Sequence, residues 1–283
     1  MVMALNAAPI PPRGGFGRLI GRLKTGVIED FYHRFWASPR HLFIVGAHLM
    51  SMTKGLATDM CSRFSLTSPP EAVRSLFNLD EVDLFPPRYN IAPTQPIMIV
   101  RRGHQTNREA VLTRWGLIPA WVKDPREFAT LINARGETVA DKPSFRGAFR
   151  HRRCLIPTDG FYEWTGKPGA KQPHLVRLAS RQLFTLAGLF ETWLGADGSE
   201  IDTAAIITTA ANADMAEIHD RMPVIVSSAD FEQWLDCRSG TGVDAAHLIR
   251  PLADGLLDIV PVDRRLNNPR IEGPDLQAAI ERP

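Results

Sequence analysis

Cysteine is scarce in this chain: there are three in 283 residues, Cys61, Cys154 and Cys237, and they lie far apart. They are too few and too dispersed for a disulfide framework, so a reducing cytosol is the natural setting. No cysteine–histidine cluster has the spacing of a zinc site, and neither a metal nor a cofactor is expected. No apolar run approaches the roughly 20 residues that span a bilayer. The longest candidate, LFIVGAHLM at 42–50, is short and holds a histidine, so no membrane partner is expected. Internal repeats and low-complexity tracts are lacking as well. So is the alternation of strand and long helix that marks a doubly wound parallel sheet. An excess of one charge is also missing, with 33 Lys and Arg against 31 Asp and Glu. A nucleic-acid-binding function would therefore need a local basic patch rather than bulk charge.

What is present is ordinary for a globular protein with a sizeable core: 44% hydrophobic and 23% charged residues. The charge is uneven. Residues 1–59 carry seven Lys and Arg against three acids, which leaves the rest of the chain slightly acidic. The same stretch contains APIPPRGG, a Pro/Gly run that argues against ordered structure, and it lacks the tripartite pattern of a secretory signal. It reads as upstream sequence translated through a misassigned start, or as a disordered basic extension. The expected organisation is a poorly ordered basic extension over 1–60, absent from the active protein, and a single domain over 61–283. The boundary falls at Met60-Cys61. Initiation at Met60, followed by trimming of the methionine, would make Cys61 an N-terminal residue bearing an amine and a thiol on adjacent carbons.

Beyond that boundary the pattern predicts one α+β domain rich in strands: a curved, antiparallel, barrel-like sheet with short peripheral helices. SPPEAVRSLFNL (68–79) reads as a helix, with prolines and Glu71 suited to its first turn and Val73, Leu76 and Phe77 at helical spacing. Strands are predicted at PIMIVRR (96–102), AVLTRWGLIP (110–119), HLVRLA (174–179), LFTLAGLFETW (183–193) and TAAIITTA (203–210). ANADMAEIH then forms a short helix with Asn212 as its N-cap.

Four stretches carry polar groups that a plain strand or loop does not need. In LINARGET (131–138), alternation along an extended chain puts Asn133, Arg135 and Glu137 on one face and Ile132 and Ala134 on the other. Alternatively, this is a solvated sheet face. In DGFYEW (159–164), Glu163 shares a face with Phe161 while Tyr162 and Trp164 take the other. A carboxyl hemmed in by aromatic groups loses hydration, which raises its pKa and suits it to proton transfer near neutrality. The alternative is an exposed edge-strand glutamate. In EIHDRMP (217–223), His219 follows a short helix whose dipole would favour its protonation, or it is a helix-terminal packing residue. RYNIAPTQP (88–96) and RWGLIPAW (114–121) place Arg88, Asn90, Pro93, Trp115 and Trp121 in turn-rich settings. Exposed tryptophan beside arginine can stack on unpaired bases, although a single tryptophan by default packs in a core.

Together, in this order, these stretches resemble the SOS response-associated peptidase (SRAP) family of abasic-site-processing proteins. Met60-Cys61-Ser62-Arg63-Phe64, RYNIAP, RWGLIPAW, INARGET, GFYEW, AGLFE, IHDRMP and PVDRRLNNP (261–269) all match its pattern, from Met60 to about Asn268. The resemblance implies a DNA-damage protein that works on single-stranded DNA containing abasic sites. It implies that Cys61, as an N-terminal residue, condenses with the sugar aldehyde to a Schiff base and then closes a thiazolidine ring. By the same resemblance Asn133 positions the cysteine, Glu163 is the acid/base carboxylate and His219 assists the Schiff-base steps and reversal. Arg63, Asn90, Pro93, Trp121, Arg135, Thr209 and Arg221 are the residues expected to hold DNA. The protein is expected to be a monomer that joins the nucleoid during DNA damage. Two positions depart from the pattern: Ser62 stands for the usual glycine and Phe190 for a frequent tryptophan. Two other readings remain open, a cysteine peptidase that exposes Cys61 by autoprocessing and a noncovalent single-strand-binding module.

Overall fold

The computed structural model describes residues 61–103, 107–238 and 242–281; residues 1–60, on which the extension reading falls, lie outside them. Its strands are β1 (Arg63–Leu66), β2 (Arg88–Ile91), β3 (Pro96–Arg102), β4 (Arg108–Trp115), β5 (Asn133–Arg135) and β6 (Arg153–Thr158). There follow β7 (Gly160–Thr165), β8 (Gln172–Leu178), β9 (Phe184–Leu194), β10 (Glu200–Ala210), β11 (Arg221–Pro223) and β12 (Leu257–Pro261). Short helices lie between them: α1 (Pro70–Phe77), α2 (Arg146–His151), α3 (Ala213–Ala216), α4 (Phe231–Leu235) and α5 (Val243–Ala246).

The strands form two sheets. In the larger, the order β10-β4-β3-β6-β9 closes on itself because β9 also pairs with β10, giving a five-stranded barrel. Closure leaves these strands without an open edge. The barrel's strands are apolar on both faces: the neighbouring residues Ile99 and Val100, Leu155 and Ile156, and Ala205 and Ile206 point to opposite sides and are all fully buried. Antiparallel pairing prevails, and β10 is the exception, running parallel to β4 and β5. The second sheet, β12-β8-β7-β1-β2, is antiparallel throughout. One face sends Phe64, Phe161 and Val176 into the main core; the other sends Tyr162 and Leu175 onto Val262, Leu266 and Leu276 of the C-terminal segment. Because β7 and β1 lie inside this sheet and are covered on both faces, a polar side chain on them is desolvated.

The predicted elements form with small shifts at their ends. α1 has proline in its first turn and stops where Asn78 adopts a left-handed φ of 50°. The strand expected over 110–119 ends at Trp115, because Gly116 turns the chain at a φ of 124°, a region open to glycine. Extended structure does not run through LINARGET. It covers Asn133–Arg135 and then tightens into a 3₁₀ turn at Gly136–Thr138, which takes Glu137 off the row it was expected to share with Asn133 and Arg135. A close approach causes the change of course: a Cβ at Gly136 would lie 2.2 Å from Ile249 Cγ2 and 3.1 Å from the Thr208 carbonyl oxygen.

Candidate active site

Cys61 precedes β1, and β1 pairs with β7 in the register Arg63↔Tyr162 and Phe64↔Phe161. Continued two residues toward the N-terminus, that register carries Cys61 to the end of β7 that holds Glu163. The Cys61 backbone N–H donates to Glu163 Oε1, joining residues 102 apart in sequence. Both are buried, Cys61 completely and Glu163 to 4% exposure. Cys61 also has a left-handed φ of 40°, a region that is costly for a residue with a Cβ.

Burial dominates the electrostatics. It raises the Glu163 carboxyl to about 7, against the pull of the hydrogen bonds from Cys61 and Trp164 and of the Lys171 cation; Asp220 pushes it further up. Of the two readings of Glu163, the desolvated carboxyl is the one observed. The Cys61 thiol is held well above its ordinary value, first by burial and then by the Glu163 charge, so it is a thiol at neutral pH. Its Sγ makes a long contact of 3.9 Å with the Arg63 carbonyl.

His219 differs from expectation. It follows α3, with its N–H donating to the Met215 carbonyl at 2.9 Å, but burial lowers its pKa below 6.5. A helix of one turn has little dipole to offer, and desolvation outweighs it. The Arg221 N–H donates to the His219 Nδ1 at 3.1 Å. The contact of the same Nδ1 with Asp220, at 3.0 Å, involves a carboxylate that is 88% exposed, where water screens an ion pair. Lys171, in the turn before β8, acts electrostatically on both Glu163 and His219, which puts the two in one neighbourhood. Nothing in the sequence around Lys171 singled it out; the β7–β8 turn brings it there. Asn133 stands on β5, opposite Ile206 of β10.

The residues expected to hold DNA fall into two groups. Trp121 is 59% exposed, packing edge-on against Phe128, and Arg135 is exposed too. Arg221 presents its guanidinium to Glu137 through two bonds of 2.9 and 2.8 Å and to the Thr208 carbonyl at 3.0 Å. Arg63 lies over Trp164, 6.0 Å from the ring centroid, and donates to Asn90 Oδ1 at 2.7 Å and the Leu266 carbonyl at 3.0 Å. Pro93 is half-buried. Asn90 and Thr209, by contrast, are buried. The Asn90 amide donates to the carbonyls of Leu266, Asn268 and Ile271, so it ties the C-terminal segment to β2 and fixes Arg63 rather than facing solvent. Trp115 is a core residue, donating from Nε1 to the Ile132 carbonyl at 3.0 Å.

Compared with known proteins, residues 60–269 match the family described as SOS response associated peptidase (SRAP). The chain belongs to the SRAP family. It is similar to the abasic site processing protein YoqW of Bacillus subtilis (strain 168), 38% identical over 221 residues that cover 77% of this chain and 98% of that one. It is also similar to the abasic site processing protein HMCES of Xenopus tropicalis, at 29% identity and 78% of each chain. Among solved structures, a protein from Bacteroides thetaiotaomicron superposes with a TM-score of 0.66 at 26% identity, over 78% of this chain and all of that one. The strand-rich barrel is thus the SRAP fold. Among the described residues of this SRAP chain, no group of three or more His, Cys, Asp or Glu could hold a metal ion, and no helix is long and apolar enough to cross a membrane.

Proposed function

We propose that this chain processes abasic sites in single-stranded DNA by forming a covalent adduct through Cys61, and that its active form begins at Cys61. The observation that carries the reading is Glu163 Oε1 against the Cys61 nitrogen, on a carboxyl that titrates near neutrality. An α-amine has a pKa of about 8, so a neutral fraction exists near pH 7. That amine attacks the open-chain sugar aldehyde, a carbinolamine forms, and water leaves as the Schiff base is made. The thiol then adds to the imine carbon and closes a five-membered ring, with no net oxidation or reduction. The first step needs an acid for the departing hydroxyl. The second needs a base for the thiol proton, because burial keeps Cys61 protonated. A carboxyl near pKa 7 serves both. His219, whose pKa burial lowers, is suited to assist the imine steps and reversal. Arg63, Arg135 and Arg221 supply the local positive charge for phosphates, and Trp121 offers an exposed ring to an unstacked base.

The left-handed φ of Cys61 supports the same reading, since this torsion exists only while Cys61 is in a peptide bond. A free amine relieves it. An amide nitrogen, with its lone pair delocalised, cannot condense with an aldehyde. Initiation at Met60 would supply the free amine. So would autoprocessing, which the Cys61–Glu163 contact also favours, because Glu163 can protonate that nitrogen as the Met60 acyl group passes to water.

The test compares three proteins with an abasic oligonucleotide on denaturing gels: the chain starting at Cys61, the same chain with Cys61→Ala, and the uncleaved chain of 283 residues. The Cys61-starting chain yields a stable adduct. The alanine variant binds without forming a stable adduct, and the uncleaved chain forms none. An equal stable adduct from the alanine variant would rule out the thiol, and one from the uncleaved chain would rule out the amine. Salt-sensitive binding with no covalent species from any of them would support a plain single-strand-binding module. Appearance of a Cys61 terminus in purified full-length chain, abolished by Glu163→Gln, would assign the processing to the site itself.

A further inference from the structure

The segment between β5 and β6 carries charges that the reading above does not use. Asn133 of β5 faces Ile206 of β10, Ile206 faces Gly188 of β9, and Gly188 faces Cys154 of β6. The chain thus leaves β5 and enters β6 at one level of the barrel, within about 14 Å, or three strand spacings. Between them it makes an excursion of helical turns. The Lys142 N–H donates to the Thr138 carbonyl at 3.0 Å, the Arg146 N–H to the Lys142 carbonyl at 2.9 Å and the Phe149 N–H to the Phe145 carbonyl at 2.8 Å. These four-residue steps carry the helical repeat from Lys142 through α2. On one face Phe145, Ala148 and Phe149 are buried. On the other, Lys142, Arg146 and Arg150 are exposed, and their spacing stacks them one above the next with Cβ atoms about 5–6 Å apart.

No acid neutralises this stripe. Asp141 is the only acid from Val139 to Arg152, and neighbours in sequence do not face each other on a helix. Glu191, which reaches the region from β9, is taken by Arg152 at 2.6 Å. Among the described residues, none pairs with Lys142, Arg146 or Arg150. Other exposed arginines do find acids: Arg126 meets Asp124 at 2.6 Å, Arg238 meets Asp236 at 2.6 Å and Arg265 meets Asp263 at 2.9 Å. Like charges four residues apart on a helix repel, so the stripe costs local stability that a polyanion laid along it would offset. Arg135, also exposed, stands on β5 where the excursion begins. The stripe therefore continues the positive charge of the candidate site along the surface.

We propose that Lys142, Arg146 and Arg150 bind phosphates of the same single strand that Arg135 holds, extending its path beyond the candidate active site. The choice of a nucleic-acid strand rests on the reading in the preceding subsection; the unpaired stripe does not. A strand fits because its phosphates repeat at regular intervals, as the three cations do. Phosphate contacts ask for charge and reach and carry no base information, so the stripe adds affinity without regard to sequence or lesion.

The test is anisotropy across a salt series, with the full chain and an undamaged single-stranded oligonucleotide of about 16 nucleotides, the upper end of common footprints. Arg146→Gln with Arg150→Gln reduces the slope of log K against log salt by about 1.4, twice the 0.7 of one lost contact on a single strand. Adding Arg135→Ala brings the reduction to about 2.1. Arg146→Lys with Arg150→Lys keeps the charge and the wild-type slope, which separates lost charge from a disturbed helix. A slope unchanged in the glutamine pair, or reduced equally in both pairs, overturns the proposal. So does a wild type that fails to bind the strand. One strand per protein is expected at saturation, and two would overturn the shared path. Adduct formation by the chain starting at Cys61 is read separately: if no adduct forms while the slope still falls, the abasic-site reading fails and the stripe stands.

Discussion

At the residue scale, the proposed chemistry concentrates on one carboxyl whose location opposes its charge. The alternation in DGFYEW was legible: Tyr162 and Trp164 do face away from Phe161 and Glu163. What the alternation could not give was the burial of Glu163, because that depends on β1 covering one side of β7 and β8 the other. The cost of that burial can be measured. The folded carboxyl titrates at about 7 instead of 4.5, so folding takes up a proton between these values. The contribution of Glu163 is most favourable below pH 4.5 and is lost as pH rises to 7. Glu163→Gln, which keeps the shape and removes the charge, is expected to raise stability at pH 8, by up to about 3 kcal/mol for a shift of this size, and to change little near pH 4.5. Chemical denaturation at the two pH values checks this. The same variant should form adduct about 100-fold more slowly, the usual loss when a general acid–base is removed, as read from single-turnover time courses. His219 teaches the complementary lesson. Its place after a helix was legible, but its charge state was not, since desolvation by distant residues outweighed the local dipole.

At the scale of elements, side chains at strand and helix ends hold the site's surroundings in place. Arg153 opens β6 with its guanidinium buried between Phe149 and Trp234, 5.7 and 5.8 Å from the ring centroids. It donates to the carbonyls of Trp234, Phe149 and Asp236 at 2.7, 2.7 and 2.6 Å, gathering the ends of α2 and α4 onto the barrel. Arg153→Met retains much of the volume but leaves three carbonyls short of a donor. It is expected to cost about 3 kcal/mol, measured as a shift in denaturant midpoint at constant slope. Gly136 does similar work through its lack of a side chain, since the β5-to-3₁₀ turn packs against Ile249 and the Thr208 carbonyl. Gly136→Ala is expected to lose about 1–3 kcal/mol by overpacking. It should also loosen the Glu137–Arg221 pair, and so weaken binding to an undamaged single strand, which fluorescence anisotropy reads. The helix signals around Pro70 and Asn78 act within one turn and were legible. The turn in INARGET follows from contacts with β10 and with Ile249, which no local pattern encodes.

At the scale of the molecule, the proposed function asks a slightly acidic domain to attract a polyanion through a few placed arginines. Binding of an undamaged single-stranded oligonucleotide should weaken with salt, and Arg135→Ala should reduce the slope of log K against log salt by about 0.7, the value for one lost phosphate contact on a single strand. An unchanged slope would remove Arg135 from the interface. Arg63 is less simple to remove, because it also bonds Asn90 and the Leu266 carbonyl.

The sequence by itself determined the elements, the strand-rich class, the motif order that marks the family and the residue types that suit the proposed chemistry. All of these depend on neighbours along the chain: alternation, capping, turn residues and the spacing of apolar side chains. Only the tertiary structure decided which polar groups lose water and which face one another. It closed β9 onto β10 to complete the barrel, brought Cys61 to Glu163, set His174 across from that carboxyl and turned Asn90 inward to hold Arg63. Those outcomes depend on pairings between segments as much as 203 residues apart. A local pattern cannot specify the dielectric around a side chain, because distant segments supply the atoms that exclude the water.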